Sequence, residues 1–341
     1  MIGRTAAGHA AGRPRPAWLG LLLIVLVAGC APQTAESGAE AGAPVWRADA
    51  LRMSDGAELP LRVWAPSGTK PPRAVVVAVH GFNDYSHAFE RPGTWLAERG
   101  VQVYAYDQRG FGDAPGRGRW PGQRVLARDL GAVLRLIRQR HPDTPVYVLG
   151  VSMGGAVILA AAAFDALPPV DGAILAAPAV WGRATMPFYQ RWALWLAART
   201  VPWMTFTGEG LERWPTDNRA VLRELSRDPK VLKETRVDAM HGLSNLMDTA
   251  LHAGEDMPRP ALVLYGAKDE IVPPAPTRRF WRSLDDAPAV TLALYADGWH
   301  MLLRDTQAEV VWRDLAAWIA SPGAPLPSDA DRAALERLSA Q

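Results

Sequence analysis

The sequence predicts an α/β fold, a mostly parallel eight-stranded sheet flanked by helices on both faces, with a helical insertion in its second half. Short apolar runs rich in β-branched residues recur at Ala74 to Val79, Val101 to Tyr106, Val146 to Leu149, Gly172 to Leu175, Ala261 to Tyr265 and Val290 to Tyr295. Strands buried on both faces read this way. Helix-length segments separate the early runs, and strands alternating with helices argue a parallel sheet. From Trp181 to about Pro258 the rhythm stops and helical spacing takes over.

Residues 1–29 read as a signal peptide, because Arg4, Arg13 and Arg15 precede an apolar run, Ala17 to Val27, in the order of an export leader. About 11 apolar residues are too few to cross ~30 Å of hydrocarbon. Of the 37 basic side chains, removing those three leaves 34 against 35 acidic ones, so the mature chain offers no electrostatic case for nucleic acid. A composition of 49% hydrophobic and 21% charged residues is that of a globular protein, not of a disordered or polytopic membrane chain.

The single cysteine, Cys30, closes Leu26-Val27-Ala28-Gly29-Cys30, which resembles the lipobox of bacterial lipoproteins. That resemblance implies lipidation of Cys30 as the mature N-terminus. Ala31 behind it implies sorting to the outer membrane, facing the periplasm. Acyl chains there would form a firm anchor, at roughly 0.8 kcal/mol per buried CH₂. Residues 31–44 are small and polar, a flexible tether that completes an anchor segment of residues 30–44.

Folding is expected to start near Val45. Trp46 to Met53 and Leu59 to Trp64 alternate around Ser54-Asp55-Gly56, an antiparallel pair at one sheet edge. The core then comprises residues 45–180 and 259–322, and the insertion residues 181–258. Within the insertion, Phe188, Trp192, Trp195 and Leu196 fall at helical spacing, as do Met240, Leu243, Met247 and Leu251. Five of the 14 tryptophans, Trp181, Trp192, Trp195, Trp203 and Trp214, lie in its first half. They are read as an apolar cap over the site, against the plainer reading that the rings pack helices onto the main domain. Residues 323–341 form a C-terminal extension whose end, from Ser328, is read as an amphipathic helix.

Ligand chemistry in such sheets sits at the carboxyl ends of the strands. Ser152, in Gly150-Val151-Ser152-Met153-Gly154, follows one strand and precedes the helical pattern Ala156 to Phe164, the setting of a nucleophile elbow. Its general base should come late in the chain. Among the seven histidines His300 alone follows the final strand, in Ala296-Asp297-Gly298-Trp299-His300. Asp269, just past the strand Ala261 to Tyr265, is the carboxylate placed to orient that imidazole; Glu270 and Asp297 stand close enough in sequence to compete. The oxyanion donors are expected to be the backbone N–H groups of Phe82 and Met153. His80 is read as a ring that shapes the loop after the third strand, and Asp107 with Arg109 as a structural brace. No His, Cys or carboxylate cluster has metal-ligand spacing, and no cofactor is indicated.

With these residues placed, the chain resembles the monoacylglycerol lipase and lysophospholipase branch of the α/β-hydrolases, a serine aminopeptidase-type hydrolase domain. The marks are His80-Gly81-Phe82, Tyr106-Asp107-Gln108-Arg109-Gly110-Phe111-Gly112, the elbow Gly150 to Gly155, and Gly266-Ala267-Lys268-Asp269-Glu270-Ile271-Val272-Pro273. The resemblance implies the α/β-hydrolase fold and a cofactor-free carboxylesterase acting on small lipid esters with one long acyl chain beneath a helical cap. Asn83-Asp84-Tyr85-Ser86 and His300-Met301 depart from the family's pattern, which concerns the head-group lining rather than the triad.

Overall fold

Each of the six apolar runs forms a strand of one sheet. The computed structural model describes residues 34–35, 38–208, 213–284 and 289–339; Cys30 and the expected signal peptide lie outside them. The strands are β1 (Val45–Trp46), β2 (Ala50–Arg52), β3 (Glu58–Trp64), β4 (Ala74–Val79), β5 (Val101–Tyr106), β6 (Val146–Val151), β7 (Gly172–Ala176), β8 (Thr205–Thr207), β9 (Glu234–Arg236), β10 (Ala261–Gly266) and β11 (Val290–Tyr295).

The main sheet runs in the order β1-β2-β3-β5-β4-β6-β7-β10-β11. It is parallel from β5 to β11 and antiparallel across β1, β2, β3 and β5. The fold is that of an α/β-hydrolase, with nine strands where eight are expected. The extra one arises because the stretch from Trp46 to Met53 does not stay straight: the Arg47 N–H turns back onto the Ala50 carbonyl (2.8 Å) and splits it into β1 and β2.

Period-2 alternation feeds two cores. Val75, Val77 and Val79 of β4 face one cluster with helices α2 (Gln123–Arg140) and α3 (Met153–Ala163). Ala74, Val76 and Ala78 face the other with α1 (Glu90–Ala97) and α8 (Ala308–Ala320). Helix α3 is buried from Met153 to Ala161, which its small, uncharged residues allow. The C-terminal extension has a structural use: α9 (Ala330–Ser339) packs on the last strand, β11, covering an edge that would otherwise offer unpaired backbone groups. Buried Asp314 of α8 fastens it, accepting from the Tyr295 hydroxyl (2.8 Å) and the Ser328 N–H (3.1 Å).

Between β7 and β10 come α4 (Phe188–Thr200), β8, α5 (Arg219–Arg227), β9 and α6 (Val237–His252), and α7 (Pro274–Arg282) follows β10. Helical spacing alone is expected here, yet β8 and β9 pair antiparallel; three residues apiece are too short for a period-2 signal. Helix α4 holds a second difference. Its regularly spaced Phe188 and Trp192 are 73% and 65% exposed, and Tyr189, Trp195 and Leu196 are exposed with them. Leu194 lines a cavity instead. Spacing defines an apolar face but not what covers it. On α6 only the later half of the repeat is buried, at Met247 and Leu251, whereas Met240 is 42% exposed and lines the cavity with half-buried Leu243.

Candidate active site

Ser152 sits between β6 and α3 with φ 52° and ψ −114°, a conformation that costs a non-glycine residue roughly 1–3 kcal/mol. The surroundings over-determine it. Its N–H donates to the Ala176 carbonyl (2.9 Å), and its own carbonyl accepts from Ala179 (3.0 Å) and Ala156 (3.2 Å). A side chain at Gly150 would place its Cβ 2.5 Å from the Gly154 carbonyl carbon, and one at Gly154 would run into the Val79 carbonyl. Both glycines of the elbow are therefore required by strand and helix approaching each other.

His300 and Asp269 meet from loops after neighbouring strands, β11 and β10. His300 Nδ1 lies 2.8 Å from Asp269 Oδ2, with both residues buried. The other carboxylate oxygen, Oδ1, accepts the N–H groups of Ile271 (2.8 Å) and Val272 (2.9 Å). A carboxylate so fixed selects the Nδ1–H tautomer and leaves Nε2 unprotonated. Gly266 and Gly298 permit this meeting, since a Cβ on Gly266 would strike the Gly298 backbone. The competing acids are elsewhere: Asp297 pairs with Lys268 (2.6 Å), and the Glu270 carboxylate takes the Trp214 N–H (2.7 Å).

Gly81 and Phe82 reach the serine from the end of β4. A Cβ on Gly81 would lie 3.5 Å from that of Ser152, so the loop touches Ser152. The Phe82 N–H donates to no acceptor among the described residues. Met153 opens α3, where an N–H has no intrahelical acceptor and the helix dipole favours negative charge.

The supporting residues are satisfied. His80 is fully buried and its Nε2 accepts the Gln108 N–H (3.0 Å), so Nδ1 carries the proton and donates to the Gly81 carbonyl (2.8 Å). Burial holds its pKa below the usual histidine value, which keeps it a neutral shaping ring. Asp107 and Arg109 brace the site separately rather than together. Asp107 Oδ1 accepts the Ser86 N–H (3.0 Å) and hydroxyl (2.6 Å), while Arg109 bridges Asp55 (2.5 Å) and Asp129 (2.6 Å).

Ser152, His300, Gly81 and Phe82 line one cavity of about 540 Å³. Its walls are mainly apolar, with Phe89, Trp181, Leu194, Leu243, Met247 and Met301 among them. Sequence reasoning misses its polar element, an ion pair between Asp84 and Arg304. The partners stand 220 positions apart, and no local pattern links them. Among the described residues no group of His, Cys, Asp and Glu is placed to hold a metal ion.

A family model described as serine aminopeptidase, S33, matches residues 70–307. The chain is similar to a monoacylglycerol lipase of Mycolicibacterium smegmatis, 28% identical over 286 residues that cover 78% of this chain and 94% of the relative. It is similar to a monoglyceride lipase of Rattus norvegicus, 24% identical over 283 residues covering 79% and 89%. The fold is shared with the crystal structure of a soluble variant of monoglyceride lipase from Saccharomyces cerevisiae in complex with a substrate analog. That likeness has a TM-score of 0.67 at 21% identity, over 85% of this chain and 98% of the other.

Proposed function

The chain belongs to the serine aminopeptidase, S33, family, and we propose that within it this protein is a serine ester hydrolase of long-chain monoacyl lipid esters, monoacylglycerol or lysophospholipid. The observation that carries the reading is the juxtaposition of Ser152 and the Asp269-paired His300 on one largely apolar cavity. At about 540 Å³ it falls within the usual range for small-molecule sites.

Ser152 Oγ attacks the ester carbonyl carbon as His300 Nε2 takes its proton. Asp269 holds the imidazolium, and the Phe82 and Met153 N–H groups receive the oxyanion, each worth about 3 kcal/mol in such sites. Collapse breaks the bond to the alcohol, which leaves with the proton from His300. Water then attacks the acyl-Ser152 ester by the same route and releases the fatty acid.

The family's description names an aminopeptidase, whereas the two relatives above are named as lipases. Two features of the cavity favour the ester. Its wall is apolar, and its one carboxylate among the described residues, Asp84, is already paired with Arg304 and so is not free for a substrate amine. In this reading the ion pair meets the polar alcohol portion. Replacing both partners, Asp84→Asn with Arg304→Gln, avoids stranding one buried charge. The KM for monoacylglycerol should rise about tenfold, the scale of one lost hydrogen bond to a charged group, while that for a nitrophenyl ester of the same acyl chain moves less than about twofold.

Residues 181–258 act in this account as a cap on the core of residues 45–180 and 259–322, and a membrane supplies the substrate. The exposed rings of α4 support this, as does the lack of any acidic residue between Trp181 and Gly208, a combination suited to a lipid interface. Lipidated Cys30 would hold the protein to the outer membrane, facing the periplasm. Metabolic labelling with palmitate should mark the parent chain and not Cys30→Ala. Activity is tested on monoacylglycerols, lysophospholipids and nitrophenyl esters beside an aminoacyl anilide. Long-chain esters should be turned over at least about a hundredfold faster than the anilide, a gap of roughly 2.7 kcal/mol in barrier, and preference for the anilide would make the protein a peptidase.

A further inference from the structure

A short stretch of the insertion, residues 213–218, crosses both loops that carry the acid and the histidine. Glu270, next after Asp269, receives the Trp214 N–H on its carboxylate (2.7 Å) and the Arg213 guanidinium on its carbonyl (3.0 Å). Met301, next after His300, donates its N–H to the Pro215 carbonyl (2.9 Å). Further along the histidine loop, the Arg304 carbonyl accepts from Asn218 Nδ2 (3.0 Å), and Thr306 donates its N–H (2.9 Å) and its hydroxyl to Asp217.

Asp305 lies at the centre of this crossing. Its Oδ2 accepts the N–H of Trp299 (2.8 Å), the residue before His300, and its Oδ1 accepts the Thr216 hydroxyl (2.6 Å). Thr216 and Asp305 are both buried, so water does not compete with the link as it does with the exposed Arg213 and Asp217 contacts. Burial raises the Asp305 carboxyl above the ordinary carboxylate range, and the two donors offset this only in part. The backbone N–H groups on either side of His300 are thus fastened to the insertion, one directly and one through a carboxylate.

We propose that Thr216 and Asp305 are positioning residues for His300, so that the seating of the insertion on the core sets the aim of the imidazole at Ser152. The proposal rests on the reading of Ser152 as nucleophile and His300 as base. Removing the Thr216 hydroxyl leaves a buried carboxylate oxygen without its donor. The histidine loop moves in response, and small misplacements of a catalytic group are expensive in rate. Thr216 does not line the cavity, so substrate binding has no direct reason to change. The insertion is therefore more than a cover: its residues 213–218 hold the loop that carries the base.

The test is a mutant cycle in the full-length protein, assayed on a short-chain nitrophenyl ester. Thr216→Val should lower kcat about tenfold, well inside the hundredfold that misplacement can cost, with KM within about twofold and a melting temperature lower by roughly a few degrees, the scale of one stranded buried acceptor. Thr216→Ser, which keeps the hydroxyl, should restore kcat to within about twofold of the parent. In a His300→Ala background Thr216→Val should cost nothing further. An unchanged kcat in Thr216→Val, or an equal loss in both backgrounds, overturns the proposal. If His300→Ala itself keeps the parental rate, the underlying reading of the site has failed, and this control reveals it separately. Should Thr216→Val not fold, Thr216→Ala enters the same cycle.

Discussion

Ser152→Ala is expected to lower kcat by about 10⁴ to 10⁶ with little change in KM, because the variant keeps the cavity and the oxyanion donors and loses only the attacking oxygen. Stability should hardly move. The Ser152 hydroxyl makes no hydrogen bond to another described residue, and alanine at φ 52° carries the same Cβ and hence the same backbone cost. Turnover of a nitrophenyl ester together with a thermal melt separates loss of chemistry from loss of fold.

Asp269→Asn is expected to lower kcat by about 10⁴ through the imidazole tautomer, and the hydrogen bonds indicate why the amide cannot adapt. Oδ1 of Asp269 accepts two backbone N–H groups, from Ile271 and Val272. The asparagine oxygen stays with those donors and its NH₂ turns to His300 Nδ1. That nitrogen must then accept, the proton moves to Nε2, and the ring can no longer take a proton from Ser152. The rate of labelling by a fluorophosphonate should fall together with kcat, since both require the activated serine. An Asp269→Asn variant that labels at the parental rate would place the orienting group elsewhere.

The elements that position the site were legible where one physical cause dominates. Strands β4 and β5 run where the apolar stretches Ala74 to Val79 and Val101 to Tyr106 place them, because burial on both faces leaves little choice of residue; β11 matches Val290 to Tyr295 although half of its residues are only partly buried. The elbow was legible because a tight strand-to-helix turn admits only glycine at positions 150 and 154. The place of His300 after the last strand, and chain order with strand ends for Asp269, single out two residues whose side chains meet at 2.8 Å in the fold.

What escaped the sequence depends on tertiary partners. The rings of α4 have the spacing of a packed face and yet point outward, since periodicity carries no information about what lies opposite. Asp107 and Arg109 are near neighbours that read as one brace, but Arg109 finds its carboxylates at Asp55 and Asp129. The Asp84 and Arg304 pair and the Thr216 to Asp305 link join residues 220 and 89 positions apart. Their chemistry is ordinary, and only the fold makes them neighbours.

These long-range links give the cavity and the loops of Asp269 and His300 a common frame. Pro215 lines the cavity while its carbonyl holds Met301 beside His300, so the cavity wall is continuous with the stretch that seats the histidine loop. The central claim, that Ser152 is the nucleophile of a monoacyl lipid ester hydrolase, is tested most directly by mapping a fluorophosphonate adduct by mass spectrometry, with and without a competing long-chain monoacylglycerol. One adduct per chain is expected, on Ser152, suppressed by the monoacylglycerol and not by an aminoacyl anilide. An adduct on another residue, no adduct at all, or labelling indifferent to the lipid would contradict it.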